Sequence, residues 1–147
     1  MGSFTIFAAA IALSVAVAGA SAQSGRPFHV TLTGAEEVPG PGDPDGVGEA
    51  IITLNPGLQQ VCYQIRVSNI TLPATGAHIH VAPAGDSGPV VVGLVPPGAD
   101  GTSSGCVTAD RDLIMQILIN PTGYYVNVHT LPLYAAGAVR GQLSYAP

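Results

Sequence analysis

The chain has 147 residues, of which 47% are hydrophobic and only 9% charged, with 19 glycines, 13 prolines and a formal net charge of −5. So Gly- and Pro-rich a composition excludes a fold made mostly of amphipathic helix. There is no lysine, and Arg26, Arg66, Arg111 and Arg140 are scattered singly, which excludes a phosphate-tracking stripe, an anionic-membrane patch and nucleic acid as a partner.

Phe4 to Ala18 is an almost unbroken apolar run ending in the small residues Ala18-Gly19-Ala20-Ser21-Ala22, and Ala20 and Ala22 form an A-x-A signal before Gln23. Residues 1–22 therefore read as a cleavable export leader, although Met1-Gly2-Ser3 lacks the usual basic side chain. The run is shorter than the roughly 20 residues of a spanning helix and has no basic stop-transfer flank, so no membrane span is expected after cleavage. The expected location is secreted, periplasmic or extracellular. About 125 residues then remain, with 23–27 as a short linker and one domain over 28–145.

Short alternating apolar runs separated by Gly/Pro punctuation predict an antiparallel β-sandwich. Strands are expected at Phe28 to Leu32, Glu49 to Leu54, Val61 to Val67, Ala77 to Val81, Pro89 to Val95, Tyr124 to Thr130 and Ala138 to Tyr145. Gly34 to Gly48 reads as a loop. Within it Asp43-Pro44-Asp45-Gly46 lacks the later ligands of a calcium loop and reads as a turn. Leu113, Ile114, Ile117 and Leu118 recur at helical spacing before Pro121, predicting one short helix near 110–119 capped by Thr108 or Asp110. Gly101-Thr102-Ser103-Ser104-Gly105 fits a G-x-S-x-G pattern but has no strand-turn-helix context, and reads as a flexible connector.

Cys62 and Cys106 lie in the exported portion, where an oxidising compartment makes a disulfide the expected state. A lone pair so far apart lacks the C-x-x-C spacing of zinc sites. Asn69-Ile70-Thr71 is an N-glycosylation acceptor, relevant only in a eukaryotic source.

In Gly76-Ala77-His78-Ile79-His80 the strand period of two sends both imidazoles to one face and Ile79 to the other. His129 lies in a second strand, on the same face as Asn127 and Tyr125. If the two strands face each other, His78, His80 and His129 converge as candidate metal ligands. Three neutral imidazoles with an open position suit copper or zinc, with Asn127 or a backbone carbonyl orienting a ligand's second nitrogen and Tyr125 beside them. The alternative is that each ring is a hydrogen-bonding post between strands and loops. His29 has no supporting spacing and reads as a solvent-facing or edge residue. Arg140, in a strand and costly to bury unpaired, is expected to form a structural ion pair with Glu37 or Glu49; an anion site near the histidines is the functional alternative.

Gly34-Ala35-Glu36-Glu37-Val38-Pro39, Ala77-His78-Ile79-His80, Gly88-Pro89-Val90-Val91-Val92, Tyr124-Tyr125-Val126-Asn127-Val128-His129-Thr130 and Arg140-Gly141-Gln142-Leu143 occur in that order. This set resembles the CHRD domain, a module named from chordin and also found singly in exported bacterial proteins. The resemblance spans Phe28 to Tyr145 and implies an extracellular β-sandwich of undefined biochemical role. In chordin such modules sit in a protein that binds bone morphogenetic proteins; no residue here carries that partner over. The His-x-His strand is also similar to the copper-ligand strand of copper-zinc superoxide dismutase, another sandwich. Val81 to Val95 holds no histidine, however, so the bridging histidine and zinc loop of that enzyme are missing. The expected fold is thus an all-β, Greek-key-like antiparallel sandwich of that kind. No complete catalytic constellation is present. The leading expectation is a non-catalytic extracellular binding or structural module for a protein or surface ligand; the other is a mononuclear copper or zinc protein, with redox chemistry open to it.

Overall fold

The computed structural model describes residues 25–145; the expected leader and the first two residues of the expected linker lie outside the described residues, and Arg26 and Pro27 of that linker belong to the first strand. Eight strands form one antiparallel sheet: β1 (Arg26–Thr33), β2 (Val47–Asn55), β3 (Gln60–Ser68), β4 (Gly76–Val81), β5 (Val90–Leu94), β6 (Thr102–Thr108), β7 (Tyr124–His129) and β8 (Val139–Gln142). Their order is β5-β4-β7-β8-β1-β2-β3-β6. The halves β5-β4-β7-β8 and β1-β2-β3-β6 meet through a single bridge between Thr33 and Arg140, which curls the sheet into a nearly barrel-shaped sandwich. Returns of β6 beside β3 and of β7 beside β4 after long excursions are Greek-key pairings. The seam is close: a Cβ on Gly141 would lie 2.0 Å from the Thr31 carbonyl oxygen, so only glycine lets β8 reach β1.

Alternation decides what is inside. Phe28, Val30 and Leu32 from β1, Ile52 and Leu54 from β2, and Val61, Tyr63 and Ile65 from β3 meet Ala77, Ile79, Val126 and Val128 from the opposite half in one buried cluster. Each Val, Leu, Ile or Phe among them stabilises the fold by roughly 1.5–3 kcal/mol on burial. The helix α1 (Arg111–Ile119) adds Ile114 and Ile117, and its N-cap is Asp110, which accepts a hydrogen bond from the Asp112 N–H. Among the described residues no helix is long and apolar enough to cross a membrane.

One expectation is corrected. The Gly101–Gly105 segment is not a flexible connector: Thr102 begins β6, an edge strand paired with β3 along seven register positions. Its side chains are alternately exposed and half-buried, so it carries no apolar stripe, and main-chain bonds to β3 hold it in place. Cys106 stands directly opposite Cys62 in that register, and the two form the disulfide. Closing a loop 44 residues long costs the unfolded chain about 4 kcal/mol of loop entropy. The turn at Asp43-Pro44-Asp45-Gly46 is as expected, closed by Gly46 N–H donating to the Asp43 carbonyl.

The loop before β2 carries the buried Glu37, whose Oε1 has no hydrogen-bond partner. Burial pushes its carboxyl up from 4.5 to about 7, outweighing the Arg140 charge and the Val38 N–H bond, both of which lower it. A raised carboxyl means that the folded state holds a proton which the unfolded chain releases near 4.5. Its contribution to stability is therefore full at low pH and lost as pH rises from about 4.5 to about 7. Glu37→Gln should flatten that slope and unfold at higher urea than the parent at about pH 8 but not at about pH 4; a parental slope in the variant would contradict this.

Candidate metal centre

Strand β4 pairs with β7 so that Gly76 faces His129, His78 faces Asn127 and His80 faces Tyr125. Ala77, Ile79, Val126 and Val128, fully buried, take the core side, leaving all six on the outward face. The next strands continue these rows, with Gly93 of β5 beside His78 and Arg140 of β8 beside Asn127. Gly93 is exposed and brings no side chain, so the row is open on that side.

The three imidazoles converge. One ligand nitrogen from each of His78, His80 and His129 lies within 4.8 Å of the others. Ring centroids are 4.9 Å apart for His78 and His129, 5.5 Å for His78 and His80, and 6.2 Å for His80 and His129. Two of the rings are fixed by main-chain carbonyls: His80 Nδ1–H donates to Gly88 O at 2.8 Å, and His129 Nδ1–H donates to Ala135 O at 3.0 Å. Both bonds put the proton on Nδ1 and leave a lone pair on Nε2, the arrangement that prepares an imidazole for a metal. Nε2 of His80 is buried without a hydrogen-bond partner, and so is Nδ1 of His78. Such orphaned nitrogens are costly unless something else binds them.

Nε2 of His129 lies 3.1 Å from Oδ1 of Asn127, itself 1% exposed. A neutral ring has one proton, already given to Ala135, so it serves Asn127 only if the amide presents its NH2 group. Burial, opposed by the Ala135 bond and reinforced by the His80 charge, holds His129 below the ordinary 6.5. Burial first, then the charges of His129 and His80, lowers His78 as well. These two rings are therefore neutral at pH 7, the ligand form.

Tetrahedral bonds of about 2.05 Å place ligand nitrogens about 3.3 Å apart. The 4.8 Å limit here means that the rings close by up to about 1.5 Å around an ion. His80 and His129 are anchored through Nδ1, so His78 is the ring with freedom to close. The donor set, three imidazoles and no thiolate, fits zinc or copper.

Of the other residues singled out in the sequence, Tyr125 stacks on His80 with centroids 4.8 Å apart and planes within 7°. Arg140 is 1% exposed, and its guanidinium donates to the carbonyls of Asp86 and Pro83 and to Gln142 Oε1. Glu37 meets it through charge, while Glu49 is exposed on β2 opposite Arg66. His29 is exposed on β1, in the other half of the sandwich. The sequence leads one to expect a backbone carbonyl at a ligand's second nitrogen but not which one, because main-chain acceptors leave no residue-type signal; they are those of Gly88 and Ala135.

Fold and site together define an all-β, disulfide-bonded Greek-key sandwich with a three-histidine cluster on one outer face. The family model for the CHRD domain matches residues 28–143, and the chain belongs to the CHRD-domain family. No curated protein and no solved structure matched the chain.

Gly76 makes room for the cluster: a Cβ there would lie 3.0 Å from His78 Cε1 and 3.4 Å from His129 Cδ2. Gly76→Ala should displace the His78 ring and weaken zinc binding roughly 10-fold or more without removing a ligand, as loss of supporting contacts does. Competition with a chromophoric chelator measures this; an unchanged affinity would show that the ring positions do not matter.

Proposed function

We propose that this chain is an exported, non-catalytic binding module whose own ligand is a single zinc or copper ion, held by His78, His80 and His129. The observation that carries the reading is the meeting of three imidazoles, with two buried nitrogens lacking any hydrogen-bond partner, on one outer face. A structural post spends both nitrogens on protein partners, as His129 does with Ala135 and Asn127, whereas His80 and His78 each keep a buried nitrogen with none. Export accords with the A-x-A leader signal at Ala20 and Ala22 and with the disulfide, which persists in oxidising compartments. Family membership favours a non-catalytic role, and the partner would be an extracellular protein or surface ligand.

The test is elemental analysis of mature protein after metal loading and exhaustive dialysis. About one zinc or copper per chain is expected, with His78→Ala, His80→Ala and His129→Ala each losing it while keeping the parental circular dichroism. At free metal about 100 times Kd, the parent should gain about 2.7 kcal/mol of stability and the variants much less. A metal-free parent, or variants that still hold metal, would reduce the histidines to structural posts.

A further inference from the structure

Among the described residues Arg140 is the largest side chain that is fully buried, and its contacts converge on one ligand. Nη1 donates to Asp86 O at 2.8 Å and Nη2 to Pro83 O at 3.0 Å. Gln142, two residues on, donates from Nε2 to Ala82 O at 2.8 Å. Strand β8 thus grips the connection between β4 and β5 at three carbonyls, and that connection supplies Gly88 O, the acceptor for His80 Nδ1–H. The guanidinium also lies 3.5 Å from the centroid of Tyr125, whose ring stacks on His80. Tyr125 returns to the same connection, its hydroxyl accepting from Gly88 N–H at 3.4 Å.

We infer that Arg140 is a positioning residue for His80: through the Pro83–Gly88 connection it sets the carbonyl that fixes the ring's tautomer, and through Tyr125 it sets the ring plane. The inference deepens the metal-site reading and rests on it for its purpose, but not for its geometry. Three constraints, two carbonyl bonds and one ring contact, run along two routes from one guanidinium, whose planar fork can stack on an aromatic ring and donate in several directions at once. Lysine carries the charge but not the fork. It can replace neither the paired carbonyl bonds nor the stack.

The experiment uses the mature disulfide-bonded protein and reads two quantities. One is the tautomer of each histidine in the metal-free protein by imidazole 15N NMR; the other is zinc Kd by chelator competition. Arg140→Lys should turn the single Nδ1–H tautomer of His80 into a mixture and weaken zinc roughly 10-fold or more, with His129 signals unmoved. Should that variant not fold, Tyr125→Leu, which keeps Arg140 and its carbonyl bonds, should give the same His80 signature, and Tyr125→Phe, which keeps the ring, should restore the parental one. Unchanged His80 signals in folded Arg140→Lys or in Tyr125→Leu overturn the inference, as do equal changes at His129. If the parent binds neither zinc nor copper but the His80 signature appears, the metal reading fails and the positioning role stands.

Discussion

The antiparallel pairing of β4 with β7 is the constraint on which the rest of the site depends. Because side chains alternate along a strand, a slip of β4 by one residue against β7 would send His78 and His80 into the core, bring Ile79 out to solvent and part both rings from His129. The apolar residues of these strands therefore hold the histidines in register without touching them, and their burial offsets the cost of gathering three imidazoles on one face. What would bind the metal is fixed by what must avoid water.

Pairing alone leaves each ring free to turn, and the loops remove that freedom. Gly88 and Ala135, from the loops that follow β4 and β7, supply the carbonyls that take the Nδ1 protons of His80 and His129. His78 has no such anchor in its Nδ1, which is buried and unpaired. The site is then two prepared ligands and one adjustable one, with Gly76 leaving space for the adjustment and Gly93 leaving one side open. On the β8 side, Arg140 and Gln142 tie the first of these loops to the sheet.

Much of this was legible in the residues. The alternation of His78 with Ile79 and of Asn127 with Val128 gives the face, and the spacing of Ile114 and Ile117 gives the helix that buries them. Compartment chemistry makes Cys62 and Cys106 partners, and they stand opposite each other in the sheet. Strand β6 was not legible, since an edge strand of Thr, Ser and Gly is specified by main-chain bonds to β3 and not by an apolar stripe. The environment of Arg140 was hidden for a related reason. Sequence suggests a carboxylate for a buried cation, whereas the guanidinium's hydrogen bonds go to main-chain carbonyls and Gln142, and Glu37 meets it through charge.

The central claim is that three imidazoles share one ion. Anomalous diffraction at the zinc or copper edge, from crystals of the metal-loaded mature protein, tests it most directly. The account predicts one strong peak about 2.0 Å from a nitrogen of each of His78, His80 and His129, with His80 and His129 bound through Nε2. A loaded crystal with no peak there, or with its peak at His29 or a surface carboxylate, would contradict it.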